Sequence, residues 1–173
     1  MNMGWKRHLV LALFACVALL TLASRAASAF QEPNRREVPP TFQEYAVPVA
    51  SIRNPRLDLK SHPIGNTFRT VLRRGVREKG VNFAGWYCLV EWGCGNNCRL
   101  FAIVDLRNGR IYHDSTFVLL RGAQYRADSV LFVANPPYTD AANFLADVPM
   151  SYWVWQNRAL SCVYPSRACQ QVK

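Results

Sequence analysis

One run of residues, 82–98, constrains the fold of this chain more strongly than any other segment. The run alternates like a β-strand and then enters a short turn rich in glycine and cysteine, Gly93-Cys94-Gly95-Asn96-Asn97-Cys98. A tight turn between Cys94 and Cys98 would bring their Cα atoms within the ~4.4–6.8 Å that a disulfide requires. The run therefore predicts a strand that ends in a turn closed by a Cys94–Cys98 disulfide.

The N-terminal segment, residues 1–29, has the pattern of a secretion signal. Basic residues at 6–8 precede the apolar stretch 9–23, and the small residues 27–29 form an A-x-A cleavage site. The apolar stretch is shorter than the roughly 20 residues that a membrane-spanning helix needs. We therefore expect cleavage before Phe30, a periplasmic or secreted protein, and no integral membrane segment after cleavage. A retained membrane anchor and a lipoprotein attached through Cys16 are the alternatives.

The remaining cysteines predict a second disulfide. Of the six cysteines in the chain, Cys16 lies in the signal, and the others would mature in an oxidising compartment where disulfides form. Cys162 and Cys169 flank a short segment with Pro165 at its centre, so they can pair without long-range folding. The disulfides Cys162–Cys169 and Cys94–Cys98 then leave Cys88 as the odd cysteine.

Two segments of the mature chain differ in how well they form regular elements. Residues 30–63 are interrupted by prolines, which predicts an extended lead-in with an edge strand at 45–52 that is broken by Pro48. Residues 64–173 carry the hydrophobic periodicity of helices and strands and predict a single domain.

The first element of that domain is an amphipathic helix. Asn66 is a suitable N-cap, and Gly80 is a suitable C-terminal stop. Apolar or small residues recur at steps of three and four and predict one buried face: Phe68, Val71, Leu72, Gly75 and Val76. Three arginines at steps of four form a basic ridge on another face: Arg69, Arg73 and Arg77.

After this helix the hydrophobic period changes to two. The strand at 82–92 places Cys88, Val90 and Trp92 on one apolar face, which we expect to meet the core or the helix. Further strands are predicted at 100–106, 110–113, 129–134, 151–155 and 160–164, the last two joined by a hairpin at 156–158. Asn108-Gly109 is typical of a type I′ turn. The order predicts an α+β fold, with one amphipathic helix packed on an antiparallel, meander-like sheet.

Three short motifs within residues 82–105 carry a resemblance to known proteins. They are Asn-Phe-Ala-Gly at 82–85, Trp-Gly-Cys-Gly-x-x-Cys at 92–98 and Ala-Ile-Val-Asp at 102–105. Together with a second block at 125–131, they resemble a family of small secreted bacterial proteins of unknown function, whose members commonly carry histidine where this chain has Trp86. The resemblance implies an exported α+β domain with a local disulfide, and it implies no activity.

The charge of the chain favours a binding function. The chain has 21 Lys and Arg against 11 Asp and Glu, a net charge of +10, and such a protein attracts anionic surfaces. We expect an exported, non-enzymatic binding module whose partner is an anionic envelope component or another protein, with no nucleic-acid partner and no cofactor. The candidate binding residues belong to the helix ridge and the disulfide-closed turn: Arg69, Arg73, Arg77, Asn96, Asn97 and Arg99.

A small cysteine-dependent hydrolase or transferase is the alternative function. Its nucleophile would be Cys88 or Cys94, with His113 as the base. A metal site is not expected, because the cysteine and histidine spacing lacks the two-plus-two arrangement usual in zinc sites. Trp153 and Trp155 would form a stacking platform for a ligand if their shared strand face met solvent.

Overall fold

The computed structural model describes residues 38–137 and 148–170. The predicted signal peptide, its cleavage site and the lead-in residues 30–37 lie outside the described residues. Within the two described ranges, no helix has the length and the apolar character needed to cross a membrane.

The described residues form three helices and seven strands. The helices are α1 (Ile64–Thr67), α2 (Arg69–Lys79) and α3 (Ser166–Gln170). The strands are β1 (Tyr87–Gly95), β2 (Cys98–Asp105), β3 (Ile111–Tyr112), β4 (Ala123–Tyr125), β5 (Leu131–Ala134), β6 (Ser151–Gln156) and β7 (Ala159–Tyr164). They pair in sequence order as two antiparallel sheets, β1-β2-β3 and β4-β5-β6-β7. The α+β class with antiparallel pairing is therefore confirmed, but the strands divide into two sheets where the sequence predicts one.

The helical segment begins earlier than predicted and contains a break. α1 starts at Ile64, directly after Pro63, whose φ of -52° already suits the first turn of a helix. Asn66 therefore lies inside α1, and the prediction that it caps the helix is wrong. Phe68, with a φ of -107° and a ψ of 28°, separates α1 from α2. The predicted stop is confirmed, because α2 ends at Gly80, whose φ of 56° favours glycine.

The first sheet lies between α2 and the second sheet. Its helix-facing side forms one buried cluster with α2: Leu72, Val76, Cys88, Val90, Trp92, Ala102, Val104, Leu106 and Ile111. Its other side packs on the second sheet in a cluster that includes Leu89, Phe101, Ile103, Phe132, Trp153 and Trp155. The predicted apolar face of β1 is therefore confirmed, and the opposite face of the same strand is buried as well.

The lead-in packs against the second sheet on the side opposite to the first sheet. A third cluster there joins strand residues to the lead-in: Leu131, Val133, Val154, Phe42 and Tyr45. The edge strand predicted at 45–52 is not formed, and Ala46 instead makes one isolated bridge with Ser129. Pro48, which has no N–H to donate, interrupts further pairing of this segment.

The first strand begins later than predicted because the chain turns before it. Ala84 and Gly85 take positive φ angles of 48° and 85°, so the strand starts at Tyr87 rather than at Asn82. An L-residue such as Ala84 adopts this conformation only where its surroundings hold it. The motif Asn-Phe-Ala-Gly therefore forms a turn that leads into β1 and is not part of the strand.

The type I′ turn predicted at Asn108-Gly109 is wrong. Of these two residues Gly109 alone has a positive φ, 86°, whereas a type I′ turn requires positive φ at both. Asn157 and Arg158, with φ angles of 51° and 67°, meet that requirement in the two-residue connection between β6 and β7. The hairpin predicted at 156–158 is thus present, and its two-residue turn has the positive φ angles of type I′.

Both predicted disulfides are present. Cys94 pairs with Cys98, with Cα atoms 5.1 Å apart, and closes the β1–β2 turn. Cys162 pairs with Cys169, with Cα atoms 5.2 Å apart, and links β7 to α3. Cys88 is the free cysteine of the described residues, and it is buried.

Candidate functional site

A cleft of about 660 Å³ opens between β3 and β7, the last strands of the two sheets. Its lining carries aromatic side chains from both sheets. Tyr112 packs edge to face on Trp155 with ring centroids 5.4 Å apart, and Phe117 packs on Trp153 at 4.6 Å. The two tryptophans are each 7% exposed and face the first sheet, so they form part of the cleft and not an open platform.

Two arginines mark one end of the cleft. Arg110 directly precedes β3, and its guanidinium carbon lies 5.9 Å from the centre of the Tyr112 ring. Arg158 lies in the exposed turn between β6 and β7. Burial raises the pKa of Tyr112, and the positive charges of Arg158 and Arg110 both oppose that rise, so the two guanidinium groups act on one hydroxyl. Among the described residues, no carboxylate forms an ion pair with either arginine.

Two histidines mark the opposite end, where β3 finishes. The ring centroids of His62 and His113 are 5.8 Å apart. The Nδ1 atom of His113 lies 2.7 Å from the carbonyl oxygen of Phe101, which can only accept, so Nδ1 carries the proton and Nε2 keeps a lone pair. The N–H of Ile64 donates to Nδ1 of His62 at 3.3 Å, so neutral His62 carries its proton on Nε2. When both rings are neutral, Nε2 of His113 is therefore an acceptor and the Nε2–H group of His62 is a donor.

Hydrogen bonds tie the loop that carries His62 to the first sheet. The hydroxyl of Ser61 donates to the carbonyl oxygen of Asp58 at 2.6 Å and accepts from the N–H of Ile111 at 3.0 Å. The N–H of Asp58 donates to the carbonyl oxygen of Gly109 at 2.9 Å. These bonds fix His62 beside β3, and they commit the hydroxyl proton of Ser61 to the backbone.

Asp114 contributes a carboxylate to the lining of the cleft. Its Oδ1 atom accepts from the N–H and the hydroxyl of Thr116 at 2.8 and 2.6 Å. These hydrogen bonds, opposed by partial burial, hold the pKa of Asp114 below its ordinary value, so the group stays ionised. Because this carboxylate is engaged in its own turn, the charges of Arg110 and Arg158 remain unneutralised at the other end of the cleft.

The predicted binding residues lie elsewhere on the surface. Arg69, Arg73 and Arg77 are exposed along α2, where Arg77 approaches Glu78 at 4.0 Å. The other three are exposed at the end of the β1–β2 hairpin: Asn96, Asn97 and Arg99. None of the six lines the cleft. The sequence pattern therefore located exposed basic and polar groups, but the structure does not bring them into the concave site.

The geometry argues against either predicted thiol as a nucleophile. Cys88 has no exposed surface, and its Sγ atom lies 3.7 Å from the carbonyl oxygen of Gly75. Burial raises the pKa of the Cys88 thiol to about 11, and the charge of Lys79 reduces this effect only in part. Cys94 is held in the disulfide with Cys98. Neither cysteine therefore offers a thiol that His113 could deprotonate to form a catalytic pair.

Sequence reasoning missed most of the cleft. Its histidines and arginines come from loops and strand ends that are far apart along the chain, and each gives a weak signal alone. The alternation Trp153-Val154-Trp155 and the candidate base His113 were the signals that pointed to this region. No group of three or more His, Cys, Asp and Glu side chains is arranged to hold a metal ion within the described part of the chain.

Comparisons with protein-family models, with curated proteins and with solved structures give no match to this chain. A function must therefore be argued from the shape and the chemistry of the cleft.

Proposed function

We propose that the protein is an exported, non-enzymatic binding module and that the cleft between β3 and β7 is its binding site. The observation that carries the proposal is a preformed, aromatic-lined cleft of about 660 Å³ with two arginines at one end that form no ion pair with a carboxylate in the described part of the chain. Small-molecule sites typically have ~300–1,000 Å³ and combine apolar walls with a few polar groups. The partner we propose is an anionic envelope component or an anionic part of a protein.

Export is supported by the chemistry of the cysteines. Disulfides persist in oxidising compartments, and the structure contains two of them. The predicted signal at residues 1–29 and the resemblance to secreted bacterial proteins support the same compartment. Residues 1–29 carry three of the 21 basic residues and none of the 11 acidic ones, so a periplasmic or secreted protein cleaved before Phe30 has a net charge of +7 and meets anionic envelope components directly.

The cleft is a better candidate than the basic ridge on α2. Charged residues on the polar face of a helix are the ordinary arrangement at a solvent boundary. Arg69, Arg73 and Arg77 are exposed along α2, and among the described residues none of their guanidinium groups lies over an aromatic ring. The cleft, in contrast, combines concavity, apolar area and positive charge in one place.

Binding of a neutral fluorescent probe, N-phenyl-1-naphthylamine, tests the proposal. We expect the native chain to bind one probe molecule with enhanced emission. Ala159→Trp, which adds an indole at an exposed residue of the lining, should reduce that affinity at least several-fold. A matched surface control, in which Arg69, Arg73 and Arg77 are replaced by Gln, should bind as the native chain does. Absent binding, or binding that the control loses and Ala159→Trp keeps, would overturn the proposal.

A further inference from the structure

The two ends of the cleft differ in chemistry, and this difference restricts the ligand. Resting on the proposed binding function, we infer that the cleft takes an elongated small molecule with a flat apolar body and one anionic group, and that Arg110 and Arg158 bind the anionic end. Carboxylate, sulfonate and phosphate share the chemistry required at that end, because guanidinium pairs with each of them through charge-assisted hydrogen bonds.

The length of the ligand follows from the strand that forms one side of the cleft. Arg110 and His113 flank the two-residue strand β3 and are three residues apart, which corresponds to about 10 Å of extended chain. On the facing sheet, Trp155 and Trp153 are two residues apart on one strand face, about 7 Å. Between these limits the lining is aromatic, so a flat fused-ring or aryl body makes more contact than a branched aliphatic one.

Among residues 38–137 and 148–170, no carboxylate forms an ion pair with the two arginines at this end. The buried carboxylate of Asp105 interacts electrostatically with Arg158. It also accepts two hydrogen bonds from the guanidinium of Arg107, at 3.0 and 2.7 Å. Asp105 is therefore already neutralised by its own partner. The positive charges of Arg158 and Arg110 act on the Tyr112 hydroxyl more strongly than the negative charge of Asp105 does, and a ligand anion placed there would gain attraction from both arginines.

The histidine end supplies hydrogen-bonding groups beside the ionised carboxylate of Asp114, which would repel a second anion. The Nε2 lone pair of His113 accepts a hydrogen bond, and the Nε2 proton of neutral His62 donates one. A hydroxyl or amide on the far end of the ligand satisfies both requirements, since each of these groups donates and accepts. The ligand is therefore anionic at one end, apolar in the middle and neutral but polar at the other end.

A pair of probes that share one skeleton tests the inference in the full chain. 8-Anilinonaphthalene-1-sulfonate is N-phenyl-1-naphthylamine with an added sulfonate, so the ratio of their affinities isolates the anionic group. We expect the native chain to bind the sulfonate at least about tenfold more tightly, because hydrogen bonds to charged groups contribute roughly 1.5–3 kcal/mol. The double variant Arg110→Gln, Arg158→Asn should bring the ratio close to one. Asn suits position 158 because it tolerates the positive φ found there.

A second double variant controls for net charge. Arg69→Gln with Arg73→Gln removes the same charge from α2 and should leave the ratio at its native value. A native ratio near one, a ratio that survives the change at 110 and 158, or a ratio that falls equally in the α2 control would overturn the inference. In each of these outcomes the neutral probe still binds, whereas its failure to bind would overturn the proposed function itself.

Discussion

His62 and His113 meet edge to face at one end of the cleft, with ring centroids 5.8 Å apart and ring planes at 87°. Burial lowers the pKa of His62, and the neighbouring His113 lowers it further. Burial and the neighbouring imidazole therefore hold His62 in its neutral form more strongly than water does. A bound anion favours the protonated imidazole, so ligand binding and the protonation of His62 are coupled.

We predict that the affinity for 8-anilinonaphthalene-1-sulfonate rises as the pH falls below the ordinary histidine pKa of ~6.5. The sign follows because an anion raises the pKa of His62, and a group whose pKa rises on binding takes up a proton and strengthens binding at lower pH. Over the ~10 Å between the two ends, the Coulomb attraction corresponds to about a twofold to tenfold change in affinity at low salt. Fluorescence titrations between pH 7.5 and 5.5 measure it.

The groups that face His62 set the controls for this prediction. Asp114 stays ionised because its pKa is lowered by Thr116, and His113 is the second imidazole that faces His62. His62→Gln should weaken the pH dependence, His62→Gln together with His113→Gln should flatten it, and the neutral probe should show none in the native chain. A native profile that is flat, or one that is unchanged in His62→Gln, would contradict the coupling.

Elements with a strong local signal were predictable from the sequence, and the layering of the sheets was not. The helical period of α2 identified its buried residues, and the cysteine spacing identified both disulfides. In β1, however, Leu89 alternates with Cys88 and Val90 and is equally apolar, so both faces of the strand are suited to burial. A strand that is buried on both faces needs a packed layer on each side of its sheet. The apolar character of both faces of β1 therefore indicated a second layer beyond the helix, which the prediction of a single sheet did not include.

The cleft was beyond sequence reasoning because its polar groups come from separate segments. They belong to the loop before α1, the turn before β3, the end of β3 and the β6–β7 turn: His62, Arg110, His113 and Arg158. Each residue alone is typical of an exposed loop. The missed elements β4 and α3, with 3 and 5 residues, are too short for hydrophobic periodicity to register.

Leu72→Ala should lower the free energy of unfolding by roughly 2–5 kcal/mol, because the side chain has no exposed surface and a cavity would remain. Arg73→Ala, at the exposed neighbouring residue of the same helix, is the control and should change it by less than about 0.5 kcal/mol. Urea unfolding followed by tryptophan fluorescence measures both. Equal effects of the two changes would mean that α2 does not pack as described.

Gly75→Ala should destabilise the protein although alanine favours a helix over glycine by about 1 kcal/mol. A Cβ atom at Gly75 would lie 2.6 and 2.7 Å from the two methyl groups of Val90, so α2 would be pushed away from β1. Overpacking of this kind costs about 1–3 kcal/mol. In Val90→Ala both methyl groups are absent and the Cβ atom of residue 90 remains at 3.2 Å, so Gly75→Ala should then be much less destabilising than in the native background. A double-mutant cycle with no coupling would refute the close approach.

Replacing Cys94 and Cys98 by serine should lower the free energy of unfolding by about 2 kcal/mol, because a short loop restricts the unfolded chain only modestly. The disulfide does not line the cleft, so the affinity for N-phenyl-1-naphthylamine should be unchanged. Non-reducing peptide mapping of the native chain first establishes the pairing. A loss of probe binding on this change would place the β1–β2 turn in the binding site after all.

Cys88 should react with iodoacetamide only after the protein unfolds. With a pKa of about 11, the thiol carries roughly one thiolate in ten thousand molecules at pH 7, and its sulfur has no exposed surface. Mass spectrometry of labelled peptides, without reductant, should show Cys88 unmodified in buffer and modified in denaturant. The Cys88→Ala variant is the control, since it removes this peptide's label and leaves any other thiol as it was. Rapid labelling of Cys88 in the native chain would reveal an activated thiolate, and it would favour the cysteine-dependent hydrolase or transferase over the binding module.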